Sequence, residues 1–238
     1  MTEIRTAIPE EVDAYLDALV RKGIFASKAE LVRAAIVSYV NATGTMFKGF
    51  DSENIFAPDG RLYQVEYARE SSARGGTVVG IACDDGILLA AEAPPKSKLA
   101  PEYRKVQFAG DRLALAPSGL VADGMLLADE LRAAAPKTTE EALRVLRATF
   151  HRYTVDRTQR PLGVSTLLGS ALDRRPRLFH VDPSGAVVER YAAAIGRNAP
   201  AALELLESRY RKLRLSDAEK LIPELLGREV AAEIVHVP

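Results

Sequence analysis

Cysteine is almost missing from this chain: of 238 residues, Cys83 alone carries a thiol. This excludes an intrachain disulfide framework and a metal site made of cysteines only, and it suits a reducing cytosol. No apolar run approaches the ~20 residues that a membrane-spanning helix requires. The opening Met1-Thr2-Glu3-Ile4-Arg5 lacks the basic-then-apolar pattern of a secretion signal. A surplus of one charge is lacking too, since 32 basic and 32 acidic residues cancel. Whole-chain charge therefore gives no reason to expect nucleic acid or an anionic membrane as the main partner. There is no internal repeat and no low-complexity segment. What remains is a composition ordinary for a globular protein, 47% hydrophobic and 27% charged. The expectation is a soluble, cytoplasmic chain with no membrane partner.

Other chemistries are weakly supported. His151, His180 and His236 fall in unrelated segments without metal-ligand spacing, so no metal is expected. Gly75-Gly76 lacks the helix-opening context of a phosphate loop, and no cofactor is expected. Cys83 follows an apolar strand without a histidine partner and reads as a small packed residue. Asp129, Glu130 and Arg132 read as a solvated or ring-contact face of a helix.

The first organisational break lies near 41–49, where Asn41-Ala-Thr-Gly-Thr and Lys48-Gly49 interrupt a helical pattern. Residues 1–45 are expected to form a small unit of their own. Within it Ile4, Thr6 and Ile8 alternate with Glu3, Arg5 and Ala7, as in a short strand. Pro9-Glu10-Glu11 opens a helix with the stripe Val12, Leu16, Leu19 and Val20, and Gly23 ends it. Ser27 and Glu30 form a capping box before a second helix with Leu31, Val32, Ala35, Ile36 and Tyr39 on its apolar face. About 40 residues cannot bury an adequate core alone, so this unit is expected to pair with another copy. The β-α-α order resembles a ribbon-helix-helix domain. In that family outward strand residues read DNA, which here points to Arg5, and a phosphate could rest on Ser27 and Lys28 at the second helix N-terminus. Residues 1–41 carry five positive against six negative charges, however, and DNA binding draws its affinity from positive surplus. Nucleic acid is thus the weaker alternative to pairing.

Residues 46–238 alternate strands and helices. Thr77–Ile81 and Gly86–Ala91 are apolar runs joined by Asp84-Asp85-Gly86, a hairpin signal. Two strands follow at 106–108 and 113–116, then two amphipathic helices at 120–134 and 139–153. Strands return at 164–168, 178–181 and 187–191, helices at 199–210 and 216–226, and a last strand at 233–237. Paired sheets between helical layers satisfy this order, an α+β fold.

The segment Phe56-Ala-Pro-Asp-Gly-Arg-Leu-Tyr-Gln-Val-Glu-Tyr-Ala-Arg69 resembles the signature of proteasome α subunits. Gly75-Gly76-Thr77, Ser97-Lys98-Leu99, Ser118 to Asp123, Arg160 to Ser165 and Asp182-Pro183-Ser184-Gly185 recur in family order, covering the chain from about Phe50 onward. The resemblance implies a four-layer α-β-β-α sandwich with an extra helix before the first strand. It also implies a non-catalytic component of an intracellular threonine-protease complex. Its ring of α subunits, usually a heptamer, templates a catalytic β ring, controls substrate admission and docks an ATPase activator.

Active relatives use an N-terminal threonine whose amine is its own base. Here that position falls on Gly76, with Thr77 one residue late and on the opposite strand face. Glu92 and Lys105 match the acid and lysine of active relatives but lack a nucleophile. By resemblance Lys105 pairs with the C-terminal carboxylate of an activator tail, a point-charge task suited to lysine, with Gly75, Leu62 and Glu66 at other pocket positions. Pro58 and Tyr67, with Phe50-Asp51 in place of a Tyr-Asp pair, match the gate. The lost hydroxyl removes a hydrogen bond of ~0.5–1.5 kcal/mol. Two alternatives stand beside this reading. One is a DNA-binding or assembly regulator that uses the proteasome-like domain as a scaffold, and the other is an amidohydrolase with another nucleophile.

Overall fold

The computed structural model describes residues 7–42, 50–93, 98–99, 104–211, 213–227 and 232–238. Internal contacts divide the chain between Gly49 and Phe50, whereas composition suggests 45/46. No helix among the described residues is long and apolar enough to cross a membrane.

The first unit contains α1 (Glu10–Arg21) and α2 (Lys28–Ala42). Pro9 precedes α1 and Glu10, Glu11 and Asp13 occupy its first turn, at the positive end of the helix dipole. Gly23, with φ +72°, turns the chain out of the helix. At α2 the Glu30 N–H donates to Ser27 Oγ at 3.2 Å, while the Glu30 carboxylate accepts from the Ala26 N–H at 2.8 Å. The box thus closes on the residue before the cap. Lys28 joins the helices through ion pairs with Asp13 (2.7 Å) and Asp17 (2.8 Å). Leu16 and Leu31 are buried, but Val12, Val32, Ile36, Val37 and Tyr39 remain exposed. Most of the expected first strand, including Arg5, lies outside the described residues, as do 43–49.

The second unit begins with α3 (Tyr63–Ala73), followed by β1 (Val78–Cys83), β2 (Gly86–Glu92), β3 (Gln107–Gly110) and β4 (Leu113–Gly119). Next come α4 (Val121–Ala134), α5 (Thr139–Val155), β5 (Val164–Ser170), β6 (Arg177–Val181), β7 (Val187–Arg190) and β8 (Ala192–Ile195). The unit ends with α6 (Ala199–Arg209), α7 (Leu215–Glu219), α8 (Ile222–Leu226) and β9 (Ala232–Val237). The strands form two antiparallel sheets, β8-β1-β2-β9 and β3-β4-β5-β6-β7.

Side-chain alternation builds the layers. Val78, Ile87, Leu89, Ala91, Ala114, Ala116, Leu167 and Leu178 meet between the two sheets. Their sequence neighbours point the other way: Val79, Ile81, Leu88 and Ala90 pack under α6, α7 and α8 with Leu206, Ala218, Ile222 and Leu225. Leu113, Leu115 and Leu168 pack under α4 and α5 with Leu127, Leu131, Leu143, Leu146 and Phe150. Both faces of each central strand are therefore covered, which explains why these strands read as continuous apolar runs. The result is the four-layer α-β-β-α sandwich.

Two elements differ from the sequence expectation. The apolar run after Val187 is two strands: β7 pairs with β6, and β8 crosses to the other sheet to pair with β1. Tyr191 stands between them, its carbonyl accepting from the Ala82 N–H at 2.8 Å. The single helix expected at 216–226 is broken at Lys220–Leu221, because Pro223 restricts the residue before it and suits the first turn of a new helix.

Candidate functional site

The site lies where α3 runs into β1. Gly75 and Gly76 enter the strand beside Gly119, at the end of β4, and Gly196, after β8. A Cβ on Gly75 would stand 2.3 Å from the Gly119 nitrogen, and one on Gly196 would stand 2.6 Å from the Gly76 oxygen. Such approaches require glycine. Gly196 adopts φ +94° as well.

Charged groups surround this junction. Lys105, just before β3, donates from Nζ to the Gly76 carbonyl at 2.6 Å, and Ser118 Oγ shares its one proton between that oxygen at 3.0 Å and the Ser72 carbonyl at 3.2 Å. Glu92, at the end of β2, accepts from Thr77 Oγ1 at 2.8 Å and from Arg197 Nη2 at 2.7 Å. Burial raises the Glu92 pKa, but hydrogen bonds from Arg197 and Thr77 outweigh it and hold the carboxyl below the usual carboxylate value. The Arg197 N–H also donates to the Gly75 carbonyl at 3.0 Å.

In front of the junction is an open cleft of about 790 Å³ lined by Tyr67, Glu70, Ser71, Arg74, Gly75, Gly119 and Leu120. Of the expected pocket residues, Gly75 lines this cleft and Lys105 holds the adjoining Gly76. Leu62 caps α3, and Glu66 in its first turn is bound by the Arg61 guanidinium (Nε–Oε1 2.8 Å); neither is in the lining. Of the residues expected at the gate, Tyr67 lines the cleft and is half exposed. Pro58 lies in an exposed turn closed by Gly60 (φ +81°) and by the Ala57 N–H to Arg61 carbonyl bond of 2.9 Å. The Asp51 carbonyl accepts from the Gln64 side chain; Phe50 begins the same segment.

Gly76 offers no hydroxyl, and the neighbouring Thr77 is fully buried with its hydroxyl committed to Glu92. Lys28 of the first unit is committed to Asp13 and Asp17, and Ser27 to its own helix cap. Arg132 binds Asp129 (2.8 Å) and also the Phe108 carbonyl (2.9 Å), and Arg152 binds Glu130 (2.8 Å), so this helix face ties α4 to β3 and α5. Burial pushes the Cys83 thiol up to about 11, as expected of a packed residue rather than a nucleophile. Among the described residues no group of His, Cys, Asp or Glu gathers as metal ligands would. Sequence reasoning misses Arg197, gives Ser118 no role here, and misses the close approaches of Gly119 to Gly75 and of Gly196 to Gly76.

Comparison with known proteins agrees with the geometry. A family model described as proteasome subunit matches residues 72–232, and one described as the N-terminal signature of the A-type proteasome subunits matches residues 51–70. The chain is 38% identical over 200 residues to a proteasome alpha subunit of Archaeoglobus fulgidus, spanning 79% of this chain and 81% of that one. To the proteasome alpha subunit of Methanocaldococcus jannaschii it is 43% identical over 168 residues, 66% of this chain and 64% of that one. To that of Methanobrevibacter smithii it is 36% identical over 206 residues, 79% and 82% of the two chains. The signature helix, the sandwich and these relatives together place the chain in the proteasome subunit family, as an α-type member.

Proposed function

We infer that this chain forms a ring with its own copies, expected to be a heptamer, as the non-catalytic α component of a cytoplasmic proteasome core particle. The ring templates a ring of catalytic β subunits, controls substrate admission and docks an ATPase activator. One observation carries the reading: the α-type signature at 51–70 leads through α3 into a strand whose nucleophile position holds Gly76. The buried, committed Thr77 hydroxyl supports the absence of a peptidase nucleophile.

Activator docking is supported by the cleft. A tail ending in a carboxylate would lie along Tyr67 and Leu120, with Arg74 in the lining and Lys105 behind Gly76 as nearby cations. Gating is assigned to Phe50, Asp51, Pro58 and Tyr67. Pairing with another copy is assigned to the N-terminal unit. Its helix α2 has apolar residues beyond the face that buries Leu31, as a helix covered on more than one side does. The ion pairs of Lys28 favour pairing over DNA contact.

The test is reconstitution with a catalytic β-type partner. The chain alone should leave a fluorogenic peptide intact, and the mixture should hydrolyse it at a rate set by the β subunit. Hydrolysis by the chain alone, blocked by a covalent threonine-directed inhibitor, would overturn the non-catalytic reading.

A further inference from the structure

Glu92 has a side chain only 11% exposed, and a carboxylate so buried requires a cation and hydrogen-bond donors. Two cations are near it. A Cβ built on Gly76 would stand 2.9 Å from both Glu92 Oε2 and Lys105 Nζ, so the two charged ends are close neighbours across that glycine. Arg197 takes Oε2 at 2.7 Å and Thr77 takes Oε1 at 2.8 Å. With both oxygens served, Lys105 donates to the Gly76 carbonyl at 2.6 Å, beside the Ser118 hydroxyl.

We propose that Arg197 is a positioning residue: by engaging Glu92, it keeps that carboxylate from drawing the Lys105 ammonium off the Gly76 carbonyl behind the cleft. Arg197 suits this task. Its side chain is 60% exposed and reaches inward from the surface, so it can be removed without opening a cavity. Its backbone N–H separately holds the Gly75 carbonyl at 3.0 Å, a bond that survives any side-chain change. The guanidinium stays charged at every working pH and therefore never releases the carboxylate by losing a proton. Without it, Lys105 is the remaining cation beside Glu92 among the described residues; its ammonium is drawn from the Gly76 carbonyl, and Arg74 is left to meet a tail carboxylate.

This inference rests on the docking reading given above. The experiment measures binding of a fluorescein-labelled octapeptide ending in three apolar residues to the full-length ring, with a free C-terminal carboxylate or a C-terminal amide. The unsubstituted ring should prefer the free carboxylate. Arg197→Ala should weaken that peptide about tenfold, the effect of withdrawing one charge-assisted contact, and leave the amide peptide unchanged. Arg197→Lys should retain most of the affinity. Adding Glu92→Gln to Arg197→Ala should restore it, since the amide still accepts from Thr77 but no longer attracts Lys105. Unchanged affinity in Arg197→Ala would overturn the inference and leave the docking reading standing. Equal losses for both peptides, without rescue by Glu92→Gln, would likewise overturn it, because only a structural role behaves that way. An unsubstituted ring that does not distinguish the two peptides would overturn the docking reading and the inference together.

Discussion

A carboxylate 5% exposed needs its charge answered where it stands, and Asp123 is answered twice. Arg160 grips both its oxygens at 2.7 and 2.8 Å, and the Gly163 N–H donates to Oδ2 at 2.7 Å. The first turn of α4 is thereby fixed to the loop that leads into β5, the same turn that carries the cleft wall at Leu120. Asp123→Ala would leave the Gly163 N–H without its acceptor and Arg160 without its partner. A loss of about 1–3 kcal/mol follows from leaving the buried Gly163 N–H unsatisfied, the half-exposed Arg160 keeping the Pro161 carbonyl as an acceptor. Chemical denaturation should show it as a lower midpoint with unchanged slope. At this scale the sequence is readable where the family resemblance names a position: Gly76, Glu92 and Lys105 are singled out by their match to family positions. Arg197 is not, because it reaches Glu92 across 105 positions and belongs to no local pattern. Lys28 reads as a candidate phosphate contact, since nothing local shows that the preceding helix presents two carboxylates to it.

At the scale of elements, β5 and β6 are joined by more than their ladder. Ser165 Oγ donates to the Val181 carbonyl at 3.1 Å, and since a hydroxyl has one proton, its 2.8 Å bond with His180 must be donated by the Nε2–H of the ring. That bond anchors the His180 ring, and burial, aided by Arg190 and opposed by Asp182, puts its pKa below the ordinary value of 6.5. A histidine depressed by folding binds its proton more readily in the unfolded chain. Its contribution is therefore complete above pH 6.5 and is lost as pH falls from there toward the folded value. Thermal unfolding followed between pH 7 and 5 should show a fall in stability, at most about 1.4 kcal/mol per pH unit from this one group. His180→Gln should flatten that part of the profile; an unaltered profile would show that His180 does not carry it. Most elements are legible because apolar runs bounded by turn signals mark the strands and longer amphipathic stretches mark the helices. The exceptions share a cause. The change of sheet at Tyr191 interrupts no apolar pattern, so β7 and β8 look like one strand, and the break before Pro223 falls within an otherwise helical composition.

At the scale of the whole molecule, the sandwich and its family are legible from many short motifs in fixed order. The pairing of the sheets is legible only through the resemblance, because it joins strands far apart in sequence. The N-terminal unit poses a different problem. Two-fold pairing of identical units cannot be satisfied wholly within an odd-numbered ring. If the ring is a heptamer, pairing requires stacking of one ring on another or leaves a unit unmatched, and a ring of even order would escape the conflict. The measurement that tests the ring assignment most directly is native mass spectrometry of the purified full-length chain, alone and with a catalytic β-type partner. The expected result is a species of seven chains, or of twice seven where N-terminal units pair between rings, and a larger particle once the β chains are added. A monomer or simple dimer that stays unchanged with the β chains present would contradict it.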